Sequence, residues 1–242
     1  MGLCMIDVGD VSSVLETPIF WLDASDTDTI ILNGADVAQW NDKGSLGENL
    51  VQGTAGLQPT YQATGWTGGL PTVYFGGAGD PNYLGVTKTP KITTLDISIF
   101  AVVRPAATNG CILEMSKGNV TGTDKKGHSL YYESGPGESI KGRVQNDSDV
   151  YYTSTVLASI DTDYVAAFKS TFANITAYAT DTSGILDATF GNNLVDNFRL
   201  SGFQDDTFHW EGLISEIIVY NFALNKNQTA SVIAALKTKW GI

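Results

Sequence analysis

The 242-residue sequence predicts an all-β fold, two stacked antiparallel sheets closed by one C-terminal α-helix. Three observations predict it. Aliphatic runs are short and broken by Gly, Thr, Asn and Asp, which favours many short strands over long helices. Residues 210–224 read as a final strand running into a capped helix. Asn225 stands three residues before Gln228, a capping-box spacing, and Val232, Ile233, Leu236 and Trp240 recur on one helical face. No linker or repeat interrupts the chain after Thr17, and this length suits one large sandwich.

The elements follow in order. Residues 1–16 lack periodicity and read as an arm that is either disordered or docked on a partner subunit, leaving 17–242 as the domain. Residues 18–22 form the first strong strand. The Gly-rich stretches 65–69 and 76–79 are loops, and Asp80-Pro81-Asn82 is a turn. Residues 96–104 are apolar on both faces along their second half, as a central strand should be, with Ile97, Ile99, Ala101 and Val103 on one face. Residues 164–170 and 173–180 pair as a hairpin about Thr171-Phe172. Residues 181–184 are expected to be a turn, and 198–202 a further strand.

The ends of the chain carry a resemblance. Phe20-Trp21-Leu22-Asp23-Ala24-Ser25-Asp26 with Gln39-Trp40-Asn41-Asp42-Lys43-Gly44 looks like the start of a LamG-like, concanavalin A-type module, and residues 210–242 look like its end. The resemblance spans residues 17–242 and implies a two-sheet antiparallel jelly-roll sandwich. Trp21, Trp40, Trp210 and Trp240 match positions that frame the family's core, so they are expected to pack.

Composition excludes several function classes. Hydrophobic content of 43% with 17% charged residues fits a globular protein. A net charge of −12, with fourteen scattered cations against twenty-six carboxylates, argues against nucleic acid. No apolar stretch approaches the length that spans a bilayer, so no membrane partner is expected. The N-terminus has neither a basic region nor an apolar core of the secretory kind, and Ile6 stands where a myristoylation motif wants Ser or Thr. Cys4 and Cys111 are expected as two thiols in a reducing compartment, a disulfide between them being the alternative.

Catalysis is not expected. Retaining glycoside hydrolysis needs two carboxyl groups about 5–5.5 Å apart. Glu211 and Glu216 are five residues apart and face opposite sides of a regular strand, and Glu133 and Glu138 are separated by a Gly-Pro-Gly loop. Glu216, alone among apolar neighbours, is expected to serve a backbone turn or an Arg. His128 and His209 lack any nucleophile or metal spacing and are expected on the surface or in loops.

Two binding chemistries remain. Calcium takes six to eight oxygens, and Asp23, Asp26 and Asp28, with Asp205 and Asp206 in a second group, are the acids that could supply them. Ca2+ is the one cofactor considered, and LamG-like modules often hold one at the loop rim. Asp is equally an ordinary turn residue. Sugars need aromatic faces and planar polar groups. Tyr131-Tyr132 and Tyr151-Tyr152 each give one buried and one outward ring if both are in strands. Arg143 lies between the pairs, and Trp66, in a Gly-rich loop, is expected to be exposed. Cross-strand packing is the structural alternative for the tyrosines.

The expected function is non-catalytic recognition or attachment, with glycans as partners. Phage structural proteins carry modules that resemble this one, so a virion surface is the expected setting. There the arm would contact other virion structural proteins, and a homo-oligomer is an expected form. A virion cement without sugar binding is the second reading. A secreted, extracellular fragment of a polysaccharide-degrading enzyme is the third.

Overall fold

A computed structural model describes residues 17–242 apart from 93, 95, 107–108, 117–126, 134–137, 146–149, 153–155, 172–173, 180–181, 188–194 and 204–206. For 78, 87–91, 150–152, 156–157, 174–175, 177–179, 182–187 and 196 it describes the backbone alone. The expected arm, residues 1–16, and Asp205 and Asp206 therefore lie outside the described residues.

The strands are β1 (Phe20–Asp23), β2 (Ile30–Asn33), β3 (Asp36–Trp40), β4 (Leu50–Val51), β5 (Thr60–Gln62), β6 (Thr72–Gly76), β7 (Leu84–Ile92), β8 (Ile97–Pro105) and β9 (Gly110–Ser116). They continue with β10 (Gly127–Glu133), β11 (Ser139–Gln145), β12 (Val150–Tyr152), β13 (Val156–Leu157), β14 (Tyr164–Ser170), β15 (Asn174–Ala179), β16 (Thr182–Asp187), β17 (Val195–Leu200) and β18 (Glu211–Tyr220). One helix, α1 (Lys226–Trp240), closes the chain. The fold is the expected all-β antiparallel jelly-roll sandwich with a single terminal helix.

Its first sheet runs β16–β15–β14–β8–β18, and the far edge of β18 is shared by β6 and β1. The second runs β7–β17–β9–β10–β11, with β12 and β13 on the outer edge of β11. Between the sheets Phe20 meets Phe198 at 4.7 Å, and His128 meets Phe168 at 6.2 Å. Gly142 lets the sheets approach here, because a Cβ at that position would lie 1.9 Å from the Phe168 ring.

The first sheet is covered on both sides. Its outer face packs under α1, so β8 is buried along nearly its whole length, as its two-faced apolar pattern predicts. Ser98 is the buried polar residue on that strand. Its hydroxyl donates to the Phe222 carbonyl (3.1 Å) and accepts from the Leu224 N–H (2.9 Å), tying the entry of the helix to the sheet. The capping box is formed in both directions: Asn225 Oδ1 accepts from the Gln228 N–H, and Gln228 Oε1 accepts from the Asn225 N–H. Val232, Ile233, Leu236 and Trp240 are buried together, and each such apolar side chain contributes about 1.5–3 kcal/mol when fully buried.

Three expectations need correction. Residues 182–184 belong to β16, because their backbone pairs with β15 instead of turning. The alternation along β18 is broken by a bulge: Ile214 pairs with Val103 and Glu216 with Val102, leaving Ser215 as the extra residue. Glu211 and Glu216 therefore share a face four register positions apart, roughly 13 Å along the strand and still far beyond a catalytic carboxylate spacing. His128 lies on β10 inside the sandwich at 1% exposure, whereas His209 is in a loop as expected but only 7% exposed, because it bridges to Cys111 on β9.

Candidate functional site

The outer face of the second sheet carries a cleft of about 340 Å³ lined by Cys111, Tyr131, Glu133, Lys141, Arg143, Phe203 and Phe208. Strand alternation creates it. On β10, Leu130 and Tyr132 point into the sandwich, so Tyr131 and Glu133 point out. On β11, Ile140 and Val144 are buried inward, so Lys141 and Arg143 point out, and register places Tyr131 opposite Lys141. Lys141 forms an ion pair with Glu133.

The fourth wall is the loop after β17. Ser201 and Phe208 both hold left-handed backbone, at φ 63° and 54°, a conformation that costs a non-glycine residue on the order of 1–3 kcal/mol. The loop is bolted in place to support it. Gly202 N–H donates to the Cys111 carbonyl (3.0 Å), and Cys111 N–H donates to the Phe208 carbonyl (2.7 Å). Phe203 N–H donates to Thr207 O (2.8 Å). Gly110 permits the close approach, since a Cβ there would sit 2.5 Å from Trp210 Cα. The result is an aromatic pair, Phe203 edge-on to Phe208 at 5.5 Å, with Phe208 55% exposed at the rim. Arg143 lays its guanidinium 4.9 Å from the Phe203 ring and donates to Gln145.

The sequence-predicted sugar residues divide. Tyr131 and Arg143 do line one surface, as adjacent outward positions on paired strands. Tyr132 is the inward ring of its pair, fully buried edge-on to Trp210, and burial, with Glu138 nearby, pushes its hydroxyl up to about 12. In β12, Tyr152 pairs with Arg143 and Tyr151 with Val144 through the backbone. Trp66 is corrected outright. It is 2% exposed, edge-on to Trp240, with its indole N–H donating to the Trp240 carbonyl (3.0 Å) and Arg104 stacked 5.1 Å away. The Gly-rich loop folds it under the end of the helix, far along the chain from its partner.

Sequence reasoning missed Phe203, Phe208, Lys141 and Cys111 as cleft residues, and weighed Glu133 only as a catalytic acid. One signal was present: two phenylalanines flank the polar run Gln204-Asp205-Asp206-Thr207, where apolar rings have no obvious core to fill.

The acids at 23–28 sit in a different constellation. Asp23 is buried and pairs with Lys239 (2.9 Å) and Lys43 (3.2 Å), and Lys43 also pairs with Asp26 (2.8 Å) while lying 4.3 Å from the Trp21 ring. Asp28 is exposed. Opposite Asp23 in register stands Glu216, whose partners are two tryptophans and a lysine and not the expected turn or Arg. Glu216 Oε1 accepts from Trp21 Nε1 (2.8 Å), and Oε2 accepts from Trp240 Nε1 (2.6 Å) and Lys239 Nζ (2.8 Å). Burial raises the pKa of Glu216 against the pull of Lys239. For Asp23, burial also acts upward, but Lys239, Ser25 and Lys43 outweigh it and hold its pKa below the usual value. A calcium ion at Asp23 and Asp26 would meet two ammonium groups, so these donors do not fit one. Among the described residues no group of three or more His, Cys, Asp or Glu side chains is arranged to hold a metal.

No family model matches the sequence, and no curated protein matches it. Solved structures do. Domain 4 of the extracellular arabinanase AbnA from Geobacillus stearothermophilus, solved with arabinotriose, is similar at TM-score 0.55 and 15% identity, covering 90% of this chain and 98% of that one. The Trypanosoma rangeli sialidase solved with sialic acid gives TM-score 0.61 at 11% identity; 93% of this chain is covered, which spans only 34% of the sialidase. The sialyllactose-bound CBM40 module of the Ruminococcus gnavus IT-sialidase gives TM-score 0.50 at 15% identity, covering 59% of this chain and 84% of the module. At these identities the likeness is one of fold. The chain is a lectin-like β-sandwich.

Proposed function

We propose that the chain is a non-catalytic glycan-recognition module and that the cleft on β10 and β11 is its binding site. One observation carries this reading: Phe208 is held half out in solvent by a strained, hydrogen-bonded loop, beside Tyr131 and the Arg143 guanidinium. A flat apolar ring next to planar polar groups is what the two kinds of surface on a sugar require. Strained backbone that its surroundings hold in place clusters at ligand-binding sites, and here it presents an exposed aromatic. In support of a binding role, Glu133 is the single carboxylate among the described residues lining the cleft, and it is ion-paired. Solved neighbours with this fold, including the arabinotriose-bound and sialyllactose-bound domains, fit the same reading.

A glycan array probed with purified protein, with calcium and again with EDTA, tests it. Saturable binding that Phe208→Ala weakens by about thirtyfold is the expected result. Silence from folded protein in both buffers overturns it and favours a cement without sugar binding. The calcium arm addresses Asp205 and Asp206. The setting on a virion surface, with residues 1–16 contacting neighbouring subunits, rests on the family resemblance, and absence from purified particles in mass spectrometry would remove it.

A further inference from the structure

We infer that the cleft selects acidic glycans, with Arg143 as the receptor for a sugar carboxylate; this rests on the glycan-binding reading of the same cleft. The protein carries net charge −12, yet the described charged side chains lining the cleft are two cations and one anion. Lys141 and Glu133 neutralise one another. Arg143 is left with a full positive charge that no carboxylate pairs with among the described residues. Its guanidinium is oriented on both sides: the Phe203 ring lies 4.9 Å away, and one Nη donates to Gln145 Oε1. Its Nε–H is sealed from solvent, so a ligand in the cleft meets the guanidinium at its Nη end.

A planar carboxylate answers that arrangement. Its two oxygens match the parallel N–H groups along one edge of a guanidinium, a geometry that lysine cannot reproduce. The sugar ring bearing the carboxylate would then lie toward Tyr131 and Phe208, which line the same cleft. A neutral sugar could stack there as well, but it would leave the guanidinium charge uncompensated. Discrimination should follow the charge of the ligand and not its linkage.

The test uses matched pairs on the intact protein: oligogalacturonate against its methyl ester, and sialyllactose against lactose. Titration calorimetry should show the acid of at least one pair binding about tenfold or more tighter than its neutral partner, with the difference erased in Arg143→Lys and Arg143→Gln. Equal binding within every pair, or preference for the neutral member, overturns the inference while leaving glycan recognition standing. An acid preference that survives in folded Arg143→Lys also overturns it. Silence across all four ligands and the glycan array removes both readings together. Should the variants misfold, the wild-type ratio alone decides.

Discussion

Beneath the helix, Glu216 receives two indole N–H groups and an ammonium, and Asp23 beside it receives two ammoniums. On the outer face of the second sheet, Arg143, Lys141 and Glu133 stand with Tyr131, Phe203 and Phe208 around an open cleft. The ingredients are alike, aromatic rings with carboxylates and cations, but the finish differs. In the first cluster both Glu216 oxygens are matched and the group is sealed, so its energy goes into joining β1, β18 and α1. In the second, a large ring is exposed and the backbone beside it is strained. Exposure and backbone strain separate a structural knot from a candidate site more clearly than residue type does.

Breaking the knot should give the largest effect. Glu216→Ala removes the acceptor for Trp21, Trp240 and Lys239 and leaves Lys239 short of a partner, which should cost about 3–5 kcal/mol in urea denaturation. Binding by the fraction that remains folded should be unchanged.

Acid should act next, through the interior under the cleft. His128 is buried against Phe168 and within 3.1 Å of Ser170 Oγ, and burial lowers its pKa from 6.5 to about 4. A base whose folded pKa is depressed contributes stability above its unfolded pKa that is lost as pH falls through the folded value. The fold should therefore lose about 3 kcal/mol between pH 6.5 and 4, and His128→Gln should flatten that slope in chemical denaturation at several pH values. Asp23, also depressed, adds loss in the same direction at lower pH, as its carboxylate protonates. Glu216, raised by burial, acts with the opposite sign, its penalty easing as it takes up a proton.

Phe208→Gly sharpens the contrast from the other side. Glycine accepts φ 54° without strain, so stability should rise or hold within about 1 kcal/mol in thermal unfolding, while glycan affinity falls by about 2 kcal/mol, some thirtyfold. A loss of stability without loss of binding would move Phe208 to the knot's side of the comparison. The smallest effect belongs to Asn225→Ala, which removes half the capping box and should cost about 1 kcal/mol with binding untouched.

Local rules made much of this legible in advance. The capping box, the helix face, the β14–β15 hairpin and the doubly buried β8 depend on neighbours within a few residues or on simple alternation. So does the division of Tyr131 and Tyr132 between outside and inside, which places Tyr131 with Arg143 once β10 and β11 pair. The rest depended on encounters between distant parts of the chain. Trp66 looked exposed because nothing near it in sequence covers it, yet Trp240, 174 residues away, does. Glu216 looked like the partner of a turn or an Arg because Trp21 is 195 residues away and a one-residue bulge turns its side chain toward the helix. Asp23 and Asp26 looked like ligands for a cation, and they are, but the cations are Lys43 and Lys239. Phe203 and Phe208 reach the cleft only because the loop after β17 hydrogen-bonds to β9. Periodicity by itself determined which residues form strands and helix and which side of each faces inward. Which inward and outward groups meet was decided by the tertiary structure, since side-chain charge, exposure and hydrogen bonding are properties of the neighbours that folding brings, not of the residue alone.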